Sequence, residues 1–151
     1  MLQHTLLQPE LSWQDKIAYL AWKISQNGGV RPEDIEVRHI FEPGRYIREL
    51  ELPAQFVFIG NKHKQGHLVE LLQGSAKLIT DKRSTVYHAI DRIVTPVGFT
   101  MVAYTITSCL VRSIHLNPNE SRDVEQLEAE HFEPVQSLLV HGKDVWRRLL
   151  L

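Results

Sequence analysis

The chain has a single cysteine, Cys109, among 151 residues. That scarcity excludes an internal disulfide framework and any Cys-rich zinc or iron–sulfur site. Long apolar runs are also missing: none approaches the roughly 20 residues that a membrane span needs. Neither sign of charge is in excess, since 17 Lys and Arg stand against 18 Asp and Glu. A broad nucleic-acid footprint needs a concentrated basic surface, so nucleic acid is not an expected partner. The first residues, Met1-Leu2-Gln3-His4, lack the basic-then-apolar pattern of a signal peptide. No phosphate loop, dinucleotide fingerprint or Ser–His–Asp arrangement appears. These absences lead to the expectation of a soluble, cytoplasmic protein that engages neither membrane nor nucleic acid.

What is present is an ordinary globular composition, 43% apolar and 23% charged, long enough for one domain with a real core. The chain also holds 8 histidines. Any transition-metal chemistry must therefore rest on imidazole.

Three zones separate by pattern. Residues 1–43 read as an N-terminal helical arm, with a helix over Ser12–Gln26. Ser12 is a fitting N-cap and Asp15 suits the first turn. Ile17, Leu20, Ala21 and Ile24 form an apolar stripe, and Asn27-Gly28-Gly29 ends it. Residues 44–134 read as a β domain. Strand signals fall at Tyr46–Leu52, Phe56–Ile59, His67–Leu72, Ala76–Thr80, Val86–Ile90, Arg92–Thr95, Met101–Ile106 and Cys109–His115. Pro53, Gly60, Gly66, Gly74 and Pro96-Val97-Gly98 punctuate them. A short acidic helix, Asp123–Glu130, follows. Residues 135–151 form an apolar tail that must pack on the barrel or on a partner subunit.

The segment Gly60-Asn61-Lys62-His63-Lys64-Gln65-Gly66-His67 is the most informative. In the strand that follows, His67, Val69 and Leu71 share one face, and Glu70 lies on the other with Leu68. His67 is therefore expected to point inward.

The spacing of these residues resembles the first motif of the cupins, a pair of histidines, then a glutamate, then a glycine. With Gly74 as the glycine, His67 takes the glutamate position, and His63 and Asn61 take the histidine positions. Pro96-Val97-Gly98 resembles the start of the second cupin motif, whose histidine and asparagine positions fall on Met101 and Thr105. More narrowly, Gly60, His63, His67, Gly74, Pro96, Gly98, Ile114-His115 and the helix with Asp123, Leu127 and Glu128 resemble small, often phage-encoded cupin-like proteins. The resemblance implies a mainly β, antiparallel cupin-type jelly-roll barrel, with an N-terminal helix and a short C-terminal helical segment. It also implies a variant of the family's metal site.

A hairpin closed by Ile106-Thr107-Ser108 would set Met101 opposite Ser113 and Phe99 opposite His115. His115 then joins the inward face. His63, His67 and His115 form a candidate three-imidazole site for zinc, iron, nickel or copper. Asn61, Glu70, Met101, Tyr104 and Arg112 are the candidate pocket residues. The bland alternatives are a hydrogen-bonded polar pair for His63 and His67, a turn for Asn61, core packing for Met101 and a surface charge for Glu70. His4, His39, His88, His131 and His141 read as unrelated to the site, and Arg45, Arg48 and Glu49 as a solvated strand face.

Two functions follow. One is a metal-binding cupin-like protein of unidentified reaction that takes a small-molecule ligand. The other is a non-catalytic jelly-roll module: a phage structural, assembly or host-interaction protein, located in host cytoplasm or virion. Both expect a homo-oligomer, and the second expects a phage or host protein partner.

Overall fold

The computed structural model describes residues 12–26, 36–60, 62–80, 83–98, 100, 102–132 and 138–141. Among them are two helices, here α1 (Trp13–Gln26) and α2 (Val124–His131). The ten strands are β1 (Val37–Glu42), β2 (Arg45–Leu52), β3 (Phe56–Ile59), β4 (His67–Gln73), β5 (Ser75–Ile79), β6 (Ser84–His88), β7 (Asp91–Thr95), β8 (Val102–Thr105), β9 (Cys109–Leu116) and β10 (Leu138–His141).

Two five-stranded antiparallel sheets result, β1-β2-β9-β4-β7 and β10-β3-β8-β5-β6. Without the outermost additions β1 and β10, the first holds β2, β9, β4 and β7, and the second β3, β8, β5 and β6. This alternation between sheets is two interleaved Greek keys, the jelly roll. Its strands lie where β-branched alternation and Gly or Pro punctuation put them.

Two expectations are corrected, and one is given a form. Val37–Glu42, placed in the arm by sequence, is strand β1 and pairs with β2 along its whole length. Leu138–His141, within the apolar tail expected on the barrel or on a partner subunit, takes the form of strand β10 and pairs with β3. The hairpin between β8 and β9 does not form: β8 pairs with β3 and β5, and β9 with β2 and β4. The connection cannot reverse on itself because Ser75 holds it. The amides of Ile106 and Thr107 both donate to the Ser75 carbonyl, at 2.9 and 3.3 Å. The chain crosses from one sheet to the other at that corner.

Between the sheets lies a core of Leu52, Phe58, Leu71 and Cys109. Cys109 is a small buried apolar residue there, as its type suggests. A second core lies outside the barrel, where α1 covers the outer face of the second sheet. Ile17, Leu20 and Ile24 pack on Val57, Ile59, Ile79 and Val102. The helix starts as its sequence dictates, with the Asp15 amide donating to Ser12 Oγ at 3.1 Å. Among the described residues, no helix is long and apolar enough to cross a membrane.

Leu20 has 0% of its surface exposed, so Leu20→Ala leaves a void under the helix. The expected loss is about 2–4 kcal/mol, read by urea unfolding. A loss below about 1 kcal/mol would mean that α1 contributes little to folding.

The outer face of the first sheet carries a ladder of alternating charge. Register sets Arg38 opposite Glu49, Glu49 opposite Arg112, Arg112 opposite Glu70, and Glu70 opposite Arg92. Arg112 donates to Glu49 from Nε and Nη2, at 3.1 and 2.7 Å, and Arg38 donates to the other oxygen. Arg92 Nε lies 3.0 Å from Glu70. Glu49, read as solvated, is therefore buried and paired.

Candidate metal centre

The inner face of the first sheet assembles a histidine cluster at one end of the barrel. Tyr46 of β2 faces His115 of β9, and His67 of β4 faces Thr95 of β7. Leu68 faces Ile114, which puts His67 beside His115. Side chains on directly opposed residues share a face, so both rings enter the barrel. His115 reaches that position because strand alternation counts from Cys109, whichever strand is the partner.

His63 comes from the loop before β4. Its backbone bridges to Phe132, the Lys64 amide donates to the His131 carbonyl at 2.8 Å, and Lys64 Nζ donates to the Ala129 carbonyl at 2.8 Å. These bonds strap the loop to the end of α2. Asp123 caps the start of that helix, accepting from the Gln126 amide at 3.2 Å.

The ring centroids of His63 and His67 are 3.5 Å apart, those of His67 and His115 4.9 Å, and those of His63 and His115 5.6 Å. His131, at the end of α2, adds a fourth ring 4.9 Å from His115. Its role was missed in sequence, although Leu127 and His131 are four residues apart on one helix face and both are buried. Phe132 stands edge-on to His63 and His115. Tyr46, wholly buried, bonds His39 Nδ1 through its hydroxyl at 2.8 Å.

Burial keeps these rings uncharged. It is the main cause of lowering to about 3 for His63, reinforced by His67 and Arg48. His67 falls to about 4 through burial and then His131. His115 falls to about 2 through burial and then the other three imidazoles and Arg48. Burial also lowers His131, and it raises the Tyr46 hydroxyl to about 12. At neutral pH the cluster is four neutral imidazoles, the form that ligates metals.

The hydrogen bonds leave nitrogen lone pairs spare. His67 Nδ1 lies 2.5 Å from Thr95 Oγ1, and His115 Nε2 lies 3.2 Å from Ser113 Oγ. The buried atoms His63 Nδ1 and His131 Nε2 have no hydrogen-bond partner. Such orphans ask for an ion or water. Neutral imidazole is a donor type that transition metals take. Two imidazoles on one tetrahedral ion at about 2.1 Å put their centroids about 5 Å apart. The three pairs that include His115 approach that distance, whereas the His63–His67 stack is too close. Accordingly, among the described residues no three His, Cys, Asp or Glu side chains are arranged as a ready coordination sphere.

The candidate pocket residues fare differently. Glu70 and Arg112 belong to the ion ladder on the opposite face of the sheet from the rings. Tyr104 packs against the core under α1, outside the barrel. Asn61 and Met101 lie outside the described residues. Arg48, read as solvated, is the reverse: it faces Ser113 on the inner side, and its guanidinium lies 4.7 Å over the Phe132 ring.

One space adjoins the cluster, and a second lies elsewhere in the barrel. A pocket of about 190 Å³ lies beside His131, with Gln65, Leu116, Asn117, Ser121, Gln126 and Glu130 in its wall. Deeper in the barrel an apolar cavity of about 50 Å³ is lined by Val69, Leu71, Phe58 and Val111, among others.

The strand order is that of the jelly rolls to which cupins belong. The fold is an antiparallel jelly roll. No family model and no curated protein matches the chain. Solved structures similar to it include a cupin 2 conserved barrel domain protein from Salinispora arenicola, 12% identical over 70% of this chain and 92% of that one, with a TM-score of 0.49. A cupin-2 domain protein from Shewanella frigidimarina is 13% identical over 70% of this chain and 100% of that one, at 0.47. An RmlC-like cupin family protein from Methanocaldococcus jannaschii is 14% identical over 56% and 83%, also at 0.47. The fold assignment rests on strand order and register.

Proposed function

We propose that this cupin-type jelly roll is a metal-binding protein in which His63, His67 and His115 hold a divalent transition metal: zinc, iron, nickel or copper. One observation carries the reading. Three neutral imidazoles from three separate elements, His67 and His115 buried and His63 half-buried, are in mutual ring contact, and His63 Nδ1 has no hydrogen-bond partner. A metal held there would supply Lewis acidity toward a small ligand or water. The chain's own groups do the positioning. Thr95 has one hydroxyl proton, and when it bonds the His67 carbonyl at 3.1 Å, His67 Nδ1 becomes the donor and Nε2 keeps its lone pair. Phe132 excludes water from one side. His63 must leave its stack on His67 for all three rings to serve one ion.

The test is metal content after purification without an affinity tag. The expected result is near one equivalent of metal per chain, lost in the His63→Ala, His67→Ala, His115→Ala triple variant. A folded wild-type protein that carries none and takes up none of zinc, iron, nickel or copper would refute the reading.

A second reading, a non-catalytic oligomeric module, draws on exposed apolar side chains. Ile90, Val94, Val97 and Leu116 are between 68% and 79% exposed. A metal-free protein that forms stable oligomers in solution would favour it.

A further inference from the structure

We propose that Arg48 is the anchor of an anion-binding site inside the barrel mouth, and that the group it takes is a carboxylate of a small ligand. The inference extends the reading above by naming a ligand group, and it does not depend on a bound metal.

The other arginines of this sheet's ion ladder are matched. Arg112 and Arg38 share Glu49, and Arg92 pairs with Glu70, all within hydrogen-bond distance. Arg48 stands on the opposite, inner face. Its side chain is only 13% exposed, yet its Nε is buried with no hydrogen-bond partner. The carboxylate facing it, Glu128, is 3.7 Å from Nη2, too far for a hydrogen bond, and 41% exposed to water. Glu128 and a hydrogen bond with Tyr46 engage part of the guanidinium, and Nε remains its buried atom without a hydrogen-bond partner, which is costly until something arrives to pair with it.

Glu128 is the negative charge that competes for this guanidinium. The nearby rings are His39, His63, His115 and Tyr46, all neutral at pH 7, and the positive field of Arg48 is felt at each. Phe132 covers one face of the guanidinium and fixes its plane. That leaves the edge, where Nε and a terminal nitrogen form the fork that binds both oxygens of a carboxylate. A carboxylate docked on this edge lies among the imidazoles. A ligand with one carboxylate and a second polar group would therefore meet Arg48 and the histidines together.

The experiment titrates metal-free, EDTA-treated protein with sodium acetate at constant ionic strength, against sodium chloride and sodium phosphate. The readout is the ¹⁵N–¹H signal of the Arg48 Nε–H group, assigned by its loss in Arg48→Lys. The expected result is a saturable shift with acetate that chloride does not give. Acetate binding, read from backbone amides, should weaken about ten- to a hundred-fold in Arg48→Met, with Arg48→Lys intermediate. Should Arg48→Met fail to fold, the wild-type titration and Arg48→Lys decide. A shift that chloride reproduces, or unchanged acetate affinity in the variants, would overturn the site. Tighter binding of phosphate than acetate would overturn the assignment to carboxylates. Metal content is measured on separate samples, so either proposal can fail alone.

Discussion

Acidification from pH 7 to pH 5 is expected to destabilise the metal-free protein by several kcal/mol. His63, His67 and His115 are held at about 3, 4 and 2, against an ordinary value of 6.5. Below pH 6.5 the unfolded chain takes up protons on these side chains while the folded chain does not. The unfolded state then binds more protons, so stability falls with pH at about 1.4 kcal/mol per pH unit for each imidazole. At pH 5 one ring accounts for about 2 kcal/mol. The first proton to enter the folded cluster meets no other imidazolium, so three rings give less than three times that amount. A loss of about 3–5 kcal/mol is a large part of an ordinary domain's stability. Arg48 adds to the effect at His63 and His115 by repelling positive charge. The effect is absent above pH 6.5 and levels off below the folded values. Urea midpoints in EDTA at pH 7, 6, 5 and 4.5 measure it, and a His67→Gln, His115→Gln double variant should show a flatter profile. Equal midpoints at pH 7 and pH 5 in the wild type would contradict the neutral cluster. Added zinc should steepen the acid loss, because protons and metal compete for the same nitrogens.

The second large effect is expected from Gly74→Ala. Gly74 links β4 to β5 with φ +89°, a conformation that side chains rarely adopt. A Cβ there would also collide with the Ser108 carbonyl and crowd Thr107 Oγ1 at 2.8 Å. Neither neighbour can yield easily. Thr107 Oγ1 accepts from the Ser75 amide at 3.0 Å, and the Ser75 carbonyl anchors the corner between the two sheets. Backbone strain and backbone displacement together predict a loss of about 3–5 kcal/mol. Gly44→Ala is the matched comparison. Gly44 has φ +73° but nothing within 4 Å of a Cβ, so strain alone applies, at about 1–2 kcal/mol. Thermal unfolding of both variants separates the two causes. Equal losses would show that the Ser108 contact relaxes without cost.

These glycines also show what sequence can and cannot convey. Gly74 announces a break between strands, but its strand partners and the corner at Ser75 are tertiary. For that reason β8 and β9 looked like a hairpin. A jelly roll sends consecutive strands to opposite sheets, and no local signal separates a hairpin turn from a crossing of the same length. The inward placement of His115 survived the error because side-chain alternation belongs to the strand and not to its partner. Glu70 likewise falls opposite His67, as alternation predicts, yet it is buried because two strands bring arginines to it. Arg48 and Glu49 were illegible for a different reason. In Arg45-Tyr46-Ile47-Arg48-Glu49-Leu50, charged and apolar residues occur on both faces, so alternation does not say which face is buried. β1 was hidden for the same reason, and β10 because a short apolar stretch in a tail gives no period. His131 looked like a helix-end residue, and its part in the cluster depends on where α2 docks.

The strap between the His63 loop and α2 has a consequence for how the end of the barrel moves. His63 shares a backbone bridge with Phe132, and Lys64 holds the carbonyls of both Ala129 and His131. Neither segment can detach while the other stays. The two therefore behave as one cooperative unit of local unfolding, with a single opening free energy. When that unit lifts, His63, His131 and Phe132 depart together, while His67 and His115 remain fixed in their sheet. Anything enclosed among the rings is then exchanged with solvent at the rate of this one event, in steps that remove half of the imidazoles at once.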